Sequence, residues 1–142
     1  MPYNVGINGF GRIGKLVFTA MMERGDFAIK GINDLADAAT LAHLLKYDTA
    51  HGRFPGTVEA DGDALVVNGT KIPVCSEKDP ANLPWKKVGA DYVVESTGVF
   101  RARKGEKPGY DSHLDAGAKR VVLTVPAKDE IDATIVLGVN DE

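Results

Sequence analysis

Gly9, Gly11 and Gly14 fall at Gly-x-Gly-x-x-Gly spacing inside GINGFGRIGK, residues 6–15, and Asp34 closes the next apolar run. Few patterns restrict a fold as tightly. YNVGIN, before the glycines, alternates Val5 and Ile7 and reads as a strand. GRIGKLVFTAMMERG, after them, places Ile13, Leu16, Val17 and Ala20 at helical spacing, with Gly25 to end the helix. Strand, glycine turn, helix and a second strand ending in an acid form the first unit of a parallel sheet. In that setting Gly9 permits a tight turn. Gly11 leaves backbone open to a pyrophosphate, and Gly14 lets the helix pack on the strand. The helix N-terminus offers unpaired N–H groups and partial positive charge to the phosphates. Asp34 accepts hydrogen bonds from a ribose 2′-OH and repels a 2′-phosphate, so NAD is favoured over NADP. The same residues also admit a simpler reading, a tight turn with Asp34 capping the following helix.

The rest of the chain extends the alternation. FAIKGIND is a second strand, and DAATLAHLLKYD a second helix with Leu41, Leu44 and Leu45 on one face. TVEADGDALVVNGTKIPV holds three short β runs separated by Asp-Gly and Asn-Gly, which supply the positive φ of hairpin turns. KIPVCS doubles as the third main strand. ADYVVESTG and KRVVLTVP are apolar almost throughout, as strands covered on both faces are, and SHLDAGA between them is a short helix. ATIVLGVN follows too closely for a helical crossover and reads as an antiparallel or edge strand. RARKGEKPGY is a basic surface loop. The fold class is therefore α/β: a Rossmann-type, doubly wound, mostly parallel sheet with an inserted antiparallel β meander and right-handed crossovers.

Ligands of such sheets lie beyond the carboxyl ends of the strands. Asp34, Lys78, Ser96, Thr97, Gly98 and Thr124 all fall there on this reading. Lys78 is either a contact on the adenine side or a surface lysine. Ser96 and Thr97 either donate hydroxyl contacts or shape a turn with Gly98.

A net charge of −3 argues against nucleic acid as a main partner. No apolar run approaches the roughly 20 residues of a membrane span, and the N-terminus is not a signal peptide. Cys75 is the single cysteine, which forms no internal disulfide and suits a reducing cytoplasm. Its apolar run, IPVCS, predicts a buried, inert thiol. His43, His51 and His113 read as packing or surface residues, and no residue is assigned to a metal.

NGFGRIGK, INDLAD, LAHLLKYDTAHG, VVNG, VVESTGVF, DAGAKRVVLTVPA and LGVN, in this order, resemble the N-terminal half of phosphorylating glyceraldehyde-3-phosphate dehydrogenases. The resemblance covers nearly the whole chain. It implies that residues 1–142 are an NAD-binding domain, incomplete at its C-terminal end, of a homotetrameric glycolytic enzyme. It places Arg12 and Ile13 at the pyrophosphate and Asp34 on the adenosine ribose. Lys78 and Thr124 also touch the cofactor, and Thr97 and Phe100 line the nicotinamide side. Leu35 after Asp34 is similar to NAD-preferring members. Lys78 and Thr124 stand where many members carry arginine and serine, and the loop Arg101–Tyr110 is a few residues longer.

The family uses a cysteine thiolate that attacks the aldehyde, passes hydride to NAD and releases the acyl group to phosphate, with a histidine base. That cysteine belongs to a segment shortly after GVN, and the chain ends two residues after Asn140. The expectation is a truncated chain, a proteolytic remnant or half of a split enzyme, without catalysis of its own. Erythrose-4-phosphate dehydrogenase is the nearest alternative enzyme, and a stand-alone nucleotide-binding module the alternative of another class.

Overall fold

The computed structural model describes residues 3–48, 52–53, 56–100 and 109–124. In chain order, β1 (Tyr3–Asn8) leads into α1 (Arg12–Arg24), β2 (Phe27–Asn33) and α2 (Ala38–Lys46). A two-residue bridge pairs β3 (Tyr47–Asp48) with β4 (Gly52–Arg53). The meander β5 (Val58–Asp61), β6 (Ala64–Val67) and β7 (Thr70–Cys75) follows. Next come a 3-10 turn (Pro80–Asn82), α3 (Trp85–Val88), β8 (Tyr92–Glu95), α4 (Ser112–Asp115) and β9 (Arg120–Leu123).

Seven strands form one sheet in the order β5-β6-β7-β2-β1-β8-β9. The pairs β1·β2, β2·β7, β1·β8 and β8·β9 are parallel, whereas β5·β6 and β6·β7 are antiparallel. β7 carries both kinds of pairing and joins the meander to the parallel sheet, as KIPVCS suggests. At the β6–β7 turn Asn68 and Gly69 have φ of 50° and 84°, the two positive values that an Asn-Gly hairpin demands. At the β5–β6 turn the central residues are Gly62 and Asp63, with the positive φ on Gly62. From β1 the chain moves to β2 on one side and later to β8 on the other. The strand order therefore reverses at β1, and the crevice of a doubly wound sheet opens there.

Both faces are covered. On one, Val5, Ile7, Ile32 and Val94 pack with Phe18 of α1 and Leu41 and Leu45 of α2. On the other, Val93 packs with Leu83, Trp85, Ala90, Ala116 and Ala118. Trp85 lies flat over Gly6, where an added Cβ would meet the indole at 2.5 Å.

Several details differ from the sequence reading. Leu44 is 41% exposed, and α2 buries Ala38 and Ala42 beside Leu41 and Leu45 instead. α1 turns Gly14 and Phe18 inward and leaves Ile13 and Ala20 outside. This helix lies close to the sheet at its first turn, where only a glycine fits, and that rotates its buried stripe by one position. β9 is covered on one side only, with Val122 53% exposed. The 3-10 turn and α3, which carry the chain from β7 to β8, had no apolar repeat long enough to reveal them. ATIVLGVN, His51 and most of RARKGEKPGY lie outside the described residues.

Candidate functional site

The three glycines do three different things. Gly9 has φ of 92°, and a Cβ there would lie 2.7 Å from the Thr97 main-chain nitrogen. The strand end after β1 and the loop after β8 thus touch through bare backbone. A Cβ on Gly14 would lie 2.0 Å from the Gly9 carbonyl oxygen, so the first turn of α1 sits on the glycine loop. Gly11 has extended backbone that any residue adopts, and a Cβ there meets nothing within 4 Å. Neither conformation nor protein packing requires that glycine. What its missing side chain leaves is clear space before a helix start.

That helix start is uncapped. No side chain accepts from the first turn of α1, and no acidic residue stands in it. Arg12 and Ile13 follow Gly11 directly, and both are exposed. An anion held there meets main-chain N–H groups and the positive end of a 13-residue helix whose first turn carries no acidic residue. A pyrophosphate fits these residues.

Asp34 lies beyond β2 and is partly buried. Its Oδ2 accepts from the Phe10 N–H at 2.7 Å and its Oδ1 from the Ala36 N–H at 3.0 Å. It does not cap α2: Asp37 does, accepting from the Thr40 N–H at 2.8 Å. Hydrogen bonds from the Thr40 side chain and N–H hold the Asp37 carboxyl below its ordinary pKa. A carboxylate accepts about four hydrogen bonds, so Asp34 keeps acceptor sites for a ribose. Phe10 is buried edge-on against Phe18, with ring centroids 5.4 Å apart, and this anchors the middle of the loop.

Opposite Asp34, the loop after β8 carries Ser96, Thr97, Gly98 and Phe100. The Ser96 N–H donates to the Asn8 carbonyl at 2.7 Å, and Gly98 has φ of 76°. The Thr97 hydroxyl donates to Glu95 Oε2 at 2.6 Å and accepts from the Val99 N–H at 3.2 Å. Its proton is therefore directed to Glu95 in this structure. Thr124, beyond β9, turns its N–H and hydroxyl to the Glu95 carbonyl, each at 3.2 Å, and its hydroxyl lies 3.4 Å from that of Ser96. Lys78 is exposed beyond β7, on the Asp34 side. All twelve residues singled out in the sequence thus lie at the carboxyl ends of β1, β2, β7, β8 and β9.

Sequence reasoning passed over the layer beneath them. Asn8, Asn33 and Glu95 end β1, β2 and β8, lie in register, and are buried. Asn33 Nδ2 donates to Asn8 Oδ1 at 2.7 Å, and Asn8 Nδ2 donates to Glu95 Oε1 at 2.6 Å. His113, fully buried, lies 2.9 Å from Glu95 Oε1, and the Trp85 indole N–H donates to His113 Nδ1 at 2.9 Å. The signal available was a polar residue closing each apolar strand. Cys75, expected to be buried, is half-buried at the end of β7; burial and the nearby Glu77 push its thiol pKa up. Among the described residues no group of His, Cys, Asp and Glu is placed to hold a metal.

Residues 3–103 match the family described as glyceraldehyde 3-phosphate dehydrogenase, NAD binding domain. The chain belongs to this family. It is similar to the cytosolic glyceraldehyde-3-phosphate dehydrogenase of Trypanosoma brucei brucei, 55% identical over 140 residues, covering 99% of this chain and 41% of that protein. The Borreliella burgdorferi enzyme is 58% identical over 136 residues, covering 95% of this chain and 40% of its own length. For the Geobacillus stearothermophilus enzyme the figures are 53% over 142 residues, 100% and 41%. The chain thus spans about two fifths of the length of the curated relatives it matches. Membership makes NAD the cofactor of this glyceraldehyde-3-phosphate dehydrogenase domain. Among the described residues no helix is long and apolar enough to cross a membrane.

Proposed function

We propose that residues 1–142 are the cofactor-binding part of a cytoplasmic, phosphorylating glyceraldehyde-3-phosphate dehydrogenase that selects NAD over NADP. One observation carries this reading. An uncapped helix start behind an open Gly11 stands beside a carboxylate, Asp34, that is anchored 2.7 Å from the Phe10 nitrogen of the same loop. Gly9, Gly11, Gly14, Arg12 and Ile13 would hold the pyrophosphate. Asp34 would accept from the adenosine ribose, with Lys78 and Thr124 contributing further contacts. Ser96, Thr97, Gly98 and Phe100 would border the nicotinamide half. NAD, when bound, supplies the hydride acceptor. The chain's own residues orient it: the loop backbone fixes the phosphates, and Asp34 excludes a 2′-phosphate by charge.

In the whole protein the activity would be oxidation of an aldehyde with transfer of its acyl group to phosphate, by a homotetramer. Cys75 does not serve as the nucleophile in this reading. Its pKa is raised, whereas an attacking thiol needs thiolate. Calorimetric titration of the chain with NAD, NADP and, as control, Asp34→Ala tests the proposal. NAD should bind more tightly than NADP, and the variant should lose about tenfold in NAD affinity. Equal affinity for the two dinucleotides, or an Asp34→Ala chain that binds NAD as the wild type does, would overturn it.

A further inference from the structure

Every hydrogen bond in the layer beneath the crevice, save that of the Thr97 hydroxyl, has a fixed direction. At one end the Trp85 indole N–H can only donate, so His113 Nδ1 must accept. The neutral ring then carries its proton on Nε2 and donates to Glu95 Oε1. At the other end the Glu77 main-chain N–H donates to Asn33 Oδ1 at 2.8 Å. Asn33 Nδ2 must therefore face Asn8 Oδ1, and Asn8 Nδ2 must face Glu95. From above, the Thr97 main-chain N–H donates to Glu95 Oε2 at 2.9 Å, and the Thr97 hydroxyl joins it. Three fixed donors and the Thr97 hydroxyl converge on one side chain with no exposure to solvent, and an ionised carboxylate accepts all four.

We propose that Glu95 is a positioning residue: its buried carboxylate, through two bonds to Thr97, fixes the Ser96–Gly98 loop and so sets affinity for the second nucleotide half of the dinucleotide. The inference rests on the cofactor reading above. Asp34 stands beyond β2 and the loop beyond β8, with β1 between them, so a dinucleotide spanning the crevice lays its two halves on opposite sides of the glycine loop. The two Thr97 bonds to Glu95 hold the β8 loop, whereas Asp34 is held by its own bonds to the Phe10 and Ala36 N–H groups.

Glu95→Gln isolates the role. The new amide has one acceptor oxygen and one donor nitrogen. With its nitrogen toward Asn8 and His113 it opposes two fixed donors. Turned toward Thr97 it opposes one, since the Thr97 hydroxyl can reverse and accept. The amide therefore faces Thr97, the lower layer survives, and the loop above is released.

The test titrates NAD and ADP into the wild-type chain, Glu95→Gln and Thr97→Val, and follows exchange of the Thr97 amide proton. ADP carries the adenosine and pyrophosphate alone. Both variants should bind NAD about tenfold or more weakly while ADP affinity changes less than about twofold. In Glu95→Gln the Thr97 amide should exchange faster while the Val94 amide stays protected. Parallel loss of NAD and ADP, or unchanged NAD affinity in both variants, would overturn the proposal. If Glu95→Gln fails to fold, Glu95→Asp, which withdraws the carboxylate from Thr97 by one methylene, decides by the same ligand comparison and the same exchange of the Thr97 amide. A wild-type chain that binds neither ligand sinks the cofactor reading and this inference with it. One that binds both, with variants that do not discriminate, sinks the inference only.

Discussion

The carboxylate of Asp34 holds the main-chain nitrogen of Phe10 at 2.7 Å across 24 residues of sequence. The acid proposed to distinguish a ribose from its 2′-phosphate is thus also a strut of the glycine loop. Binding and folding share one side chain here. Asp34→Ala should lower stability by about 1–3 kcal/mol, the cost of leaving a nearly buried N–H without its acceptor. Asp34→Asn keeps one acceptor oxygen and should lose less. Urea unfolding of the two variants checks the order, and equal midpoints for wild type and Asp34→Ala would refute it.

Gly14 and Gly11 separate the glycine that packing requires from the one proposed to face the ligand. Gly14→Ala drives a Cβ to 2.0 Å from a backbone oxygen that cannot swing aside, and overpacking of this kind costs about 1–3 kcal/mol. Gly11→Ala enters open space in a backbone conformation that alanine adopts, so its stability cost should be about 0.5 kcal/mol or less. Its methyl group would occupy the space proposed for the pyrophosphate, so NAD affinity should fall about tenfold. Melting curves set beside titrations give both readings. A Gly11→Ala chain with unchanged affinity would remove the phosphate from that space.

The glycine spacing made the first strand, turn and helix legible because Gly9 and Gly14 answer to separate steric demands. The meander was legible because Asn68 and Gly69 take backbone angles that few residues tolerate. Helix faces were less so: Leu44 carries the right apolar side chain at the wrong angle, and only the sheet beneath α2 decides between it and Ala42. The buried layer was invisible for a different reason. Asn8, Asn33, Glu95 and His113 are separated by up to 105 positions and mean nothing until parallel pairing brings strand ends into register. Polar residues at the ends of apolar strands look solvated in a sequence. Here they hydrogen-bond one another in the interior.

His113 joins the only tryptophan of the chain to Glu95. His113→Phe fills the space but strands the indole N–H, at about 1–3 kcal/mol, and leaves Glu95 Oε1 with Asn8 alone. The Trp85 emission should shift, and the urea midpoint should fall. The same emission should move in Gly6→Ala, whose Cβ intrudes 2.5 Å from the indole, although no residue of the polar layer has changed. Unaltered fluorescence in both variants would contradict the packing of Trp85 across Gly6 and its bond to His113.

Cys75 offers a chemical reading of the end of β7. Burial raises its pKa above the ordinary thiol value, and Glu77 adds to the rise by disfavouring the thiolate. At neutral pH the folded chain should therefore react with iodoacetamide more slowly than the urea-unfolded chain, because the thiolate is the nucleophile. The rate should climb as pH passes through the thiol range. Linkage fixes the sign of the stability effect. A folded-state pKa above the unfolded one contributes stability that is fully present below the unfolded pKa and is lost as pH rises through the folded value. Wild type should thus lose stability on this alkaline limb relative to Cys75→Ser, which has no thiol to ionise. Parallel pH–stability curves for the two chains, or alkylation of the folded chain as fast as that of the unfolded one, would show that Cys75 is neither shielded nor influenced by Glu77.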